Sequence, residues 1–173
     1  MKKRILISNV IYGKGYINNF IRYSIDLILI ALKQINRDLF EIDIILSHKK
    51  KDKIDLILSK LKKKYLVHEC LIEDVNKKKD YTVINKEQIK HMQFAKKHNY
   101  DYVFFLYADF IINKNYFINS IKTIENKKGL ILGTFFILIN KNKYMYKLIN
   151  HLKNNETIKI KNFIIKNYEK IIS

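Results

Sequence analysis

Proline and tryptophan are absent from this 173-residue chain, glycine occurs four times and cysteine once. With no Pro-rich or Gly/Ser-rich stretch there is no recognisable linker, and at roughly 150 residues per domain the length argues for a single fold with a short extension. The lone Cys70 excludes an intramolecular disulfide, and the lack of any Cys-x-x-Cys or Cys/His cluster excludes the usual structural zinc spacing. No apolar run reaches the roughly 18–20 residues of a membrane span, since the longest, Phe20 to Leu32, is interrupted by Arg22 and Asp26. The opening Met1-Lys2-Lys3-Arg4-Ile5-Leu6-Ile7 lacks the extended apolar core and small-residue cleavage site of a signal peptide, so the expected compartment is the cytoplasm.

Arginine is the other scarcity. The formal net charge is +18, yet Arg occurs only at Arg4, Arg22 and Arg37, and the remaining basic residues are lysines. Lys, Ile and Asn together fill 81 of 173 positions, as A/T-rich codons would supply without selection for polyanion binding. The planar guanidinium is the better reader of phosphates and bases, so its rarity argues against a nucleic-acid binder despite the charge. What the chain does have is oil: 48% hydrophobic and 13% aromatic residues, enough for a packed core and too much for disorder.

Four short β-branched runs, Arg4–Ile11, Phe40–Ser47, Tyr65–Ile72 and Asp101–Tyr107, alternate with segments of helical period. That alternation predicts βαβ units and an α/β fold: a Rossmann-like, mostly parallel sheet flanked by helices, with C-terminal helices. The helices are expected at Tyr16–Asn36, Lys51–Lys63, Asn85–Asn99 and Lys114–Asn126. Leu130–Asn140 reads as a fifth strand, and Lys143–Leu152 and Ile160–Ile172 as terminal helices. Residues 1–140 would thus form one α/β unit and 141–173 a helical extension packed on it. The lysine runs 49–53, 62–64 and 77–79 fall at expected loops or helix ends and read as solvated turns.

In an open parallel sheet, ligands lie beyond the carboxyl ends of the strands. After the first strand, Tyr12-Gly13-Lys14-Gly15-Tyr16 offers a tight turn that brings backbone N–H groups close to a phosphate. Asn18 takes the place of the third glycine of a dinucleotide fingerprint, and the second strand ends in Ser47-His48 without an acidic residue, which argues against a nicotinamide or flavin enzyme. The fourth strand ends in Tyr107-Ala108-Asp109, a lone carboxylate at the sheet edge that could ligate a hard divalent cation or cap a turn. His48 after the second strand and His91 in the third helix are the histidines that could face the same cleft, while His68, His98 and His151 read as structural or exposed.

The stretch Ile5-Leu6-Ile7-Ser8-Asn9-Val10-Ile11-Tyr12-Gly13-Lys14-Gly15-Tyr16-Ile17, followed some ninety residues later by Asp101-Tyr102-Val103-Phe104-Phe105-Leu106-Tyr107-Ala108-Asp109-Phe110, resembles the GT-A nucleotide-sugar transferases, family 2 in particular. The likeness runs from about Lys3 to Asn140 and takes in Gln93-Phe94-Ala95 and the Gly129–Ile139 stretch. It implies a glycosyltransferase taking a nucleoside-diphosphate sugar to a glycan, lipid or protein acceptor. It also implies that Tyr12 flanks the base, that Gly13, Ser47, His91, Tyr107 and Ala108 line the nucleotide-sugar site, and that Asp109 holds Mn²⁺ or Mg²⁺ against the diphosphate. The sequence departs from the pattern where Tyr107 replaces the first acid of Asp-x-Asp, where no Pro precedes the turn, and where the second strand lacks its acid. Two further readings stay open on these grounds: a catalytically degenerate module of the same fold, and a basic binder of nucleic acid or of a membrane surface through the amphipathic Ile160–Ile172 stretch.

Overall fold

The structure, a computed structural model, describes residues 1–73, 80–126 and 153. The expected strand at Leu130–Asn140 and the two expected terminal helices lie outside the described residues. Element order is β1 (Lys3–Val10), α1 (Lys14–Asn19), α2 (Ile25–Leu32), β2 (Phe40–His48), α3 (Asp55–Lys62), β3 (Leu66–Leu71), α4 (Asp80–Lys97), β4 (Tyr102–Tyr107) and α5 (Tyr116–Asn126). All strand pairs are parallel, in the order β3-β2-β1-β4. The fold is the expected α/β sheet flanked by helices.

The chain divides into two compact units, Met1–Arg22 with Asn36–Asp109 and Tyr23–Ile35 with Phe110–Ser173. The first holds the whole four-stranded sheet. β1 lies between β2 and β4, and Ile5 through Val10 are all buried, as a parallel strand covered on both faces requires. On one face α4 packs over β1 and β4. There Leu6, Ile45 and Ala95 form one apolar cluster, and Val10, Tyr12, Ile72 and Val83 form another. In the second unit α2 packs with α5, Phe117 and Ile121 are buried, and the Lys153 ammonium pairs with Asp26 at 3.0 Å.

Strand limits fall within a residue or so of expectation; the helices differ more. The single helix expected over Tyr16–Asn36 is helical from Lys14 to Leu32 but passes through a π-helical turn at Phe20–Ser24. The wider turn inserts one residue into the helical period, so Tyr23, Ser24 and Ile25 are buried in succession. α4 begins at Asp80, ahead of the expected Asn85, because its buried stripe, Val83, Glu87, His91 and Ala95, steps by four through two polar residues. Its end is a Schellman turn: Asn99 adopts a left-handed conformation (φ 54°), Tyr100 N–H donates to Ala95 O at 3.0 Å and Asn99 N–H to Lys96 O at 3.3 Å. No helix among the described residues is long and apolar enough to cross a membrane.

Candidate functional site

Parallel register decides which residues meet at the carboxyl edge of the sheet. Val10, the last residue of β1, stands opposite Ser47 of β2 on one side and Tyr107 of β4 on the other. The residues that follow therefore gather at one edge: Tyr12 and Gly13 after β1, His48 and Lys49 at the end of β2, and Ala108 and Asp109 after β4. With strand order β3-β2-β1-β4, chain progression reverses between β1 and β4, the switch point where doubly wound sheets bind ligands.

The turn after β1 is pinned from the β2–α3 loop. Asp52 carboxylate oxygens accept the Lys49 N–H at 3.2 Å and, at the long end of the range, the Gly13 N–H at 3.4 Å. Asp52 N–H in turn donates to Lys49 O at 2.9 Å. Gly13 carries φ 83°, a conformation glycine adopts without Cβ strain. A Cβ built at Gly13 or Gly15 would meet nothing within 4 Å, so the backbone there borders open space. Tyr12 is buried, 8% exposed, with Val10, Ile72 and Val83 around it and the Lys49 ammonium 4.8 Å from its ring centroid. The face expected to flank a base is thus covered by a lysine in this conformation.

Ser47 and His91 meet, but inside the protein. Both are fully buried, and the Ser47 hydroxyl donates to Glu87 Oε2 at 2.7 Å while lying 2.8 Å from His91 Nε2. Because that hydroxyl's proton goes to Glu87, its oxygen accepts the Nε2–H. His91 Nδ1 then accepts from the Ser8 hydroxyl at 2.7 Å, which assigns a neutral Nε2–H tautomer. Burial lowers the imidazole pKa from 6.5 to about 4, outweighing the opposing pull of Glu87. The Lys90 ammonium closes the network on Glu87 Oε1 at 2.6 Å. The expectation that His91 faces the cleft is corrected: the ring has no exposed surface and bridges β1, β2 and α4. His48 is likewise buried, its Nδ1 3.1 Å from Lys49 O and its Nε2 3.5 Å from Glu69.

At the end of β4, Tyr107 is half-buried, Ala108 buried and Asp109 exposed. Asp109 makes no hydrogen bond or ion pair among the described residues and is the carboxylate left open to a ligand at this edge. A divalent cation bound by protein alone wants about six oxygen ligands. Tyr107 supplies a phenol where a second carboxylate would stand, and no group of three or more His, Cys, Asp or Glu side chains able to hold a metal occurs among the described residues. The described residues at this edge therefore do not by themselves supply the ligand set of Mn²⁺ or Mg²⁺. Cys70 is a free thiol whose pKa is pushed up by burial, a poor nucleophile. Lys49, Asp52 and Glu87 are the members that sequence reasoning passed over. The first two sit in a lysine run that reads as a solvated turn, and Glu87 interrupts an apolar helical stripe.

No family model and no curated protein matches the chain. Three solved structures of the S. aureus glycosyltransferase TarS do resemble it. TarS 1–349 is 16% identical with a TM-score of 0.48, covering 82% of this chain and 40% of that one. The same fragment in complex with UDP is 14% identical with a TM-score of 0.49 and the same coverage. A further TarS structure is 14% identical with a TM-score of 0.50, covering 82% of this chain and 24% of that one. The chain spans well under half the length of the proteins it resembles. At this identity the likeness is one of fold alone: a parallel α/β sheet flanked by helices.

Proposed function

We propose that the protein binds a nucleoside-diphosphate sugar at the carboxyl edge of β1, β2 and β4 and transfers the sugar to a glycan, lipid or protein acceptor. The observation that carries this reading is the register of Val10 between Ser47 and Tyr107, which collects Tyr12, Gly13, Lys49 and Asp109 at the switch point of a glycosyltransferase-like sheet. In the transfer, an acceptor hydroxyl oxygen bonds to the anomeric carbon as the bond to the diphosphate breaks. The diphosphate leaves with the bonding electrons, and the hydroxyl proton passes to a base. The exposed Asp109 accepts hydrogen bonds from donor hydroxyls, and the Gly13–Gly15 backbone leaves room for phosphates.

The test is thermal unfolding against UDP, GDP, CMP and dTDP sugars. A ligand bound only by the folded state stabilises it by about 2.7 kcal/mol at a hundredfold excess over its dissociation constant. A shift with one nucleotide class that weakens in Asp109→Ala supports the assignment; Asp109→Ala binding as tightly as the parent sinks it. One observation favours a second reading, a non-catalytic module of the same fold: Tyr107 stands where a second carboxylate would. Sugar-nucleotide binding with no turnover in the presence of varied acceptors would select it.

A further inference from the structure

We propose that Lys49 supplies the positive charge for the donor diphosphate, as a displaceable cation that rests on the Tyr12 ring in the free protein and moves to the phosphates when nucleotide arrives. The proposal rests on the nucleotide-sugar reading above. Three observations meet in it. The Lys49 ammonium lies 4.8 Å from the Tyr12 ring centroid and covers the face on which a base would stack. Its backbone is fixed on both sides, Lys49 N–H on Asp52 and Lys49 O accepting from Asp52 N–H, so only the four-carbon side chain has to swing. Among the described residues the edge holds the exposed carboxylate of Asp109 and no group of three or more metal-ligating side chains, and Lys49 is a cation placed beside Tyr12 there.

The energetics favour the exchange. An ammonium over the face of a tyrosine is held by the ring quadrupole alone, whereas an ammonium against a diphosphate makes charge-assisted hydrogen bonds. Departure of the ammonium also uncovers Tyr12, so phosphate capture and base stacking arise from one movement. Asp52 is bonded to the Gly13 and Lys49 N–H groups, so its place in the loop does not depend on where the Lys49 ammonium lies. The backbone at Gly13 and Gly15 borders open space in which phosphates can come near.

Calorimetric titration of the whole chain in excess EDTA tests this, with UDP, GDP, dTDP, the matching nucleosides and inorganic pyrophosphate as probes against the parent, Lys49→Met and Lys49→Arg. The expected result is diphosphate binding that persists in EDTA and falls at least tenfold in Lys49→Met. Lys49→Arg should retain it, and nucleoside affinity should be unchanged or higher in Lys49→Met, where the cation over Tyr12 is gone. Nucleotide binding that vanishes in EDTA and returns with Mn²⁺, or that Lys49→Met leaves untouched, overturns the proposal while leaving the nucleotide-sugar reading standing. Pyrophosphate binding that depends on Lys49, without added affinity from any nucleoside, keeps the anion site and sinks the nucleotide reading. Absence of binding by every probe sinks both.

Discussion

The Ser47 hydroxyl, one residue before the end of β2, donates to the Glu87 carboxylate of α4 across 2.7 Å, and neither residue is more than 3% exposed. This bond ties the helix to the strand end from which the Lys49–Asp52 loop departs. Ser47→Ala would strip a partner from both Glu87 and the His91 N–H. The expected cost is about 1–3 kcal/mol, the usual penalty for a buried polar group left unsatisfied. Urea unfolding measures it, and an unchanged midpoint would show that water or a neighbour takes over the bond.

His91 gives the protein a pH dependence of defined sign. Its pKa is lowered from 6.5 to about 4, first by burial and with Lys90 contributing, while Glu87 pulls the other way. Between those two values the unfolded chain takes up a proton that the folded chain refuses. Stability from this group is therefore full above pH 6.5, falls as pH drops from 6.5 towards about 4, and changes no further below that. The span corresponds to at most about 3 kcal/mol at 1.36 kcal/mol per unit. Chemical denaturation at pH 7.5 and pH 4.5 should show the loss in the parent and a smaller one in His91→Gln; equal losses in the two would remove His91 as the cause.

At the opposite edge of the sheet Arg4 makes a second cluster. Its guanidinium lies 3.1 Å from Asp43 Oδ2, donates to His98 O at 2.6 Å and stacks 4.2 Å from the Tyr100 ring centroid. Tyr100 OH donates to the same Asp43 oxygen at 2.5 Å, and burial, reinforced by that bond and by the carboxylate's charge, raises the phenol's pKa strongly. Asp43 is 3% exposed, so Arg4→Ala leaves a nearly buried carboxylate short of its cation. Since Arg4 itself is about one-third open to solvent, the expected loss is about 1–3 kcal/mol rather than the larger penalty of a fully buried pair. The double variant Arg4→Met/Asp43→Leu should be more stable than the sum of its single losses predicts, and strict additivity would argue that the two residues are not coupled.

What could be read from the sequence divides along physical lines. The central strands were legible because β1 and β2 are buried nearly throughout, and a short β-branched run has few other places to go. Tyr12 and Asp109 were legible as edge residues because strand ends follow from strand limits. The interior of the sheet–helix interface was not. An apolar period cannot reveal that the stripe Val83, Glu87, His91, Ala95 is buried, since two of its four members are polar and find buried partners in Ser47 and Ser8, some 40 and 80 residues away in the chain. The π-helical turn at Phe20–Ser24 was hidden for a related reason: one inserted residue shifts the buried stripe without breaking it. Asp52, flanked by lysines, looked like solvated charge, and only the fold brings the β1 turn to its carboxylate.

The two glycines of the β1 turn should respond to alanine with opposite signs. Gly13 precedes α1 at φ 83°, ψ 138°, and a Cβ there would meet nothing within 4 Å, so Gly13→Ala suffers from backbone conformation alone, about 1–3 kcal/mol for an L-residue held in so sparsely populated a region. Gly15 lies within α1, has no positive φ and is equally uncrowded. There alanine removes the entropic weakness of glycine in a helix and should stabilise by about 0.5–1 kcal/mol. Paired unfolding curves give both values under one set of conditions. Because Gly13 N–H is held by Asp52, the loss in Gly13→Ala should be smaller in an Asp52→Ala background, where the turn is free to relax. If both glycines instead tolerate alanine equally, the turn does not hold the left-handed conformation, and the open backbone beside Tyr12 is not a fixed feature of the site.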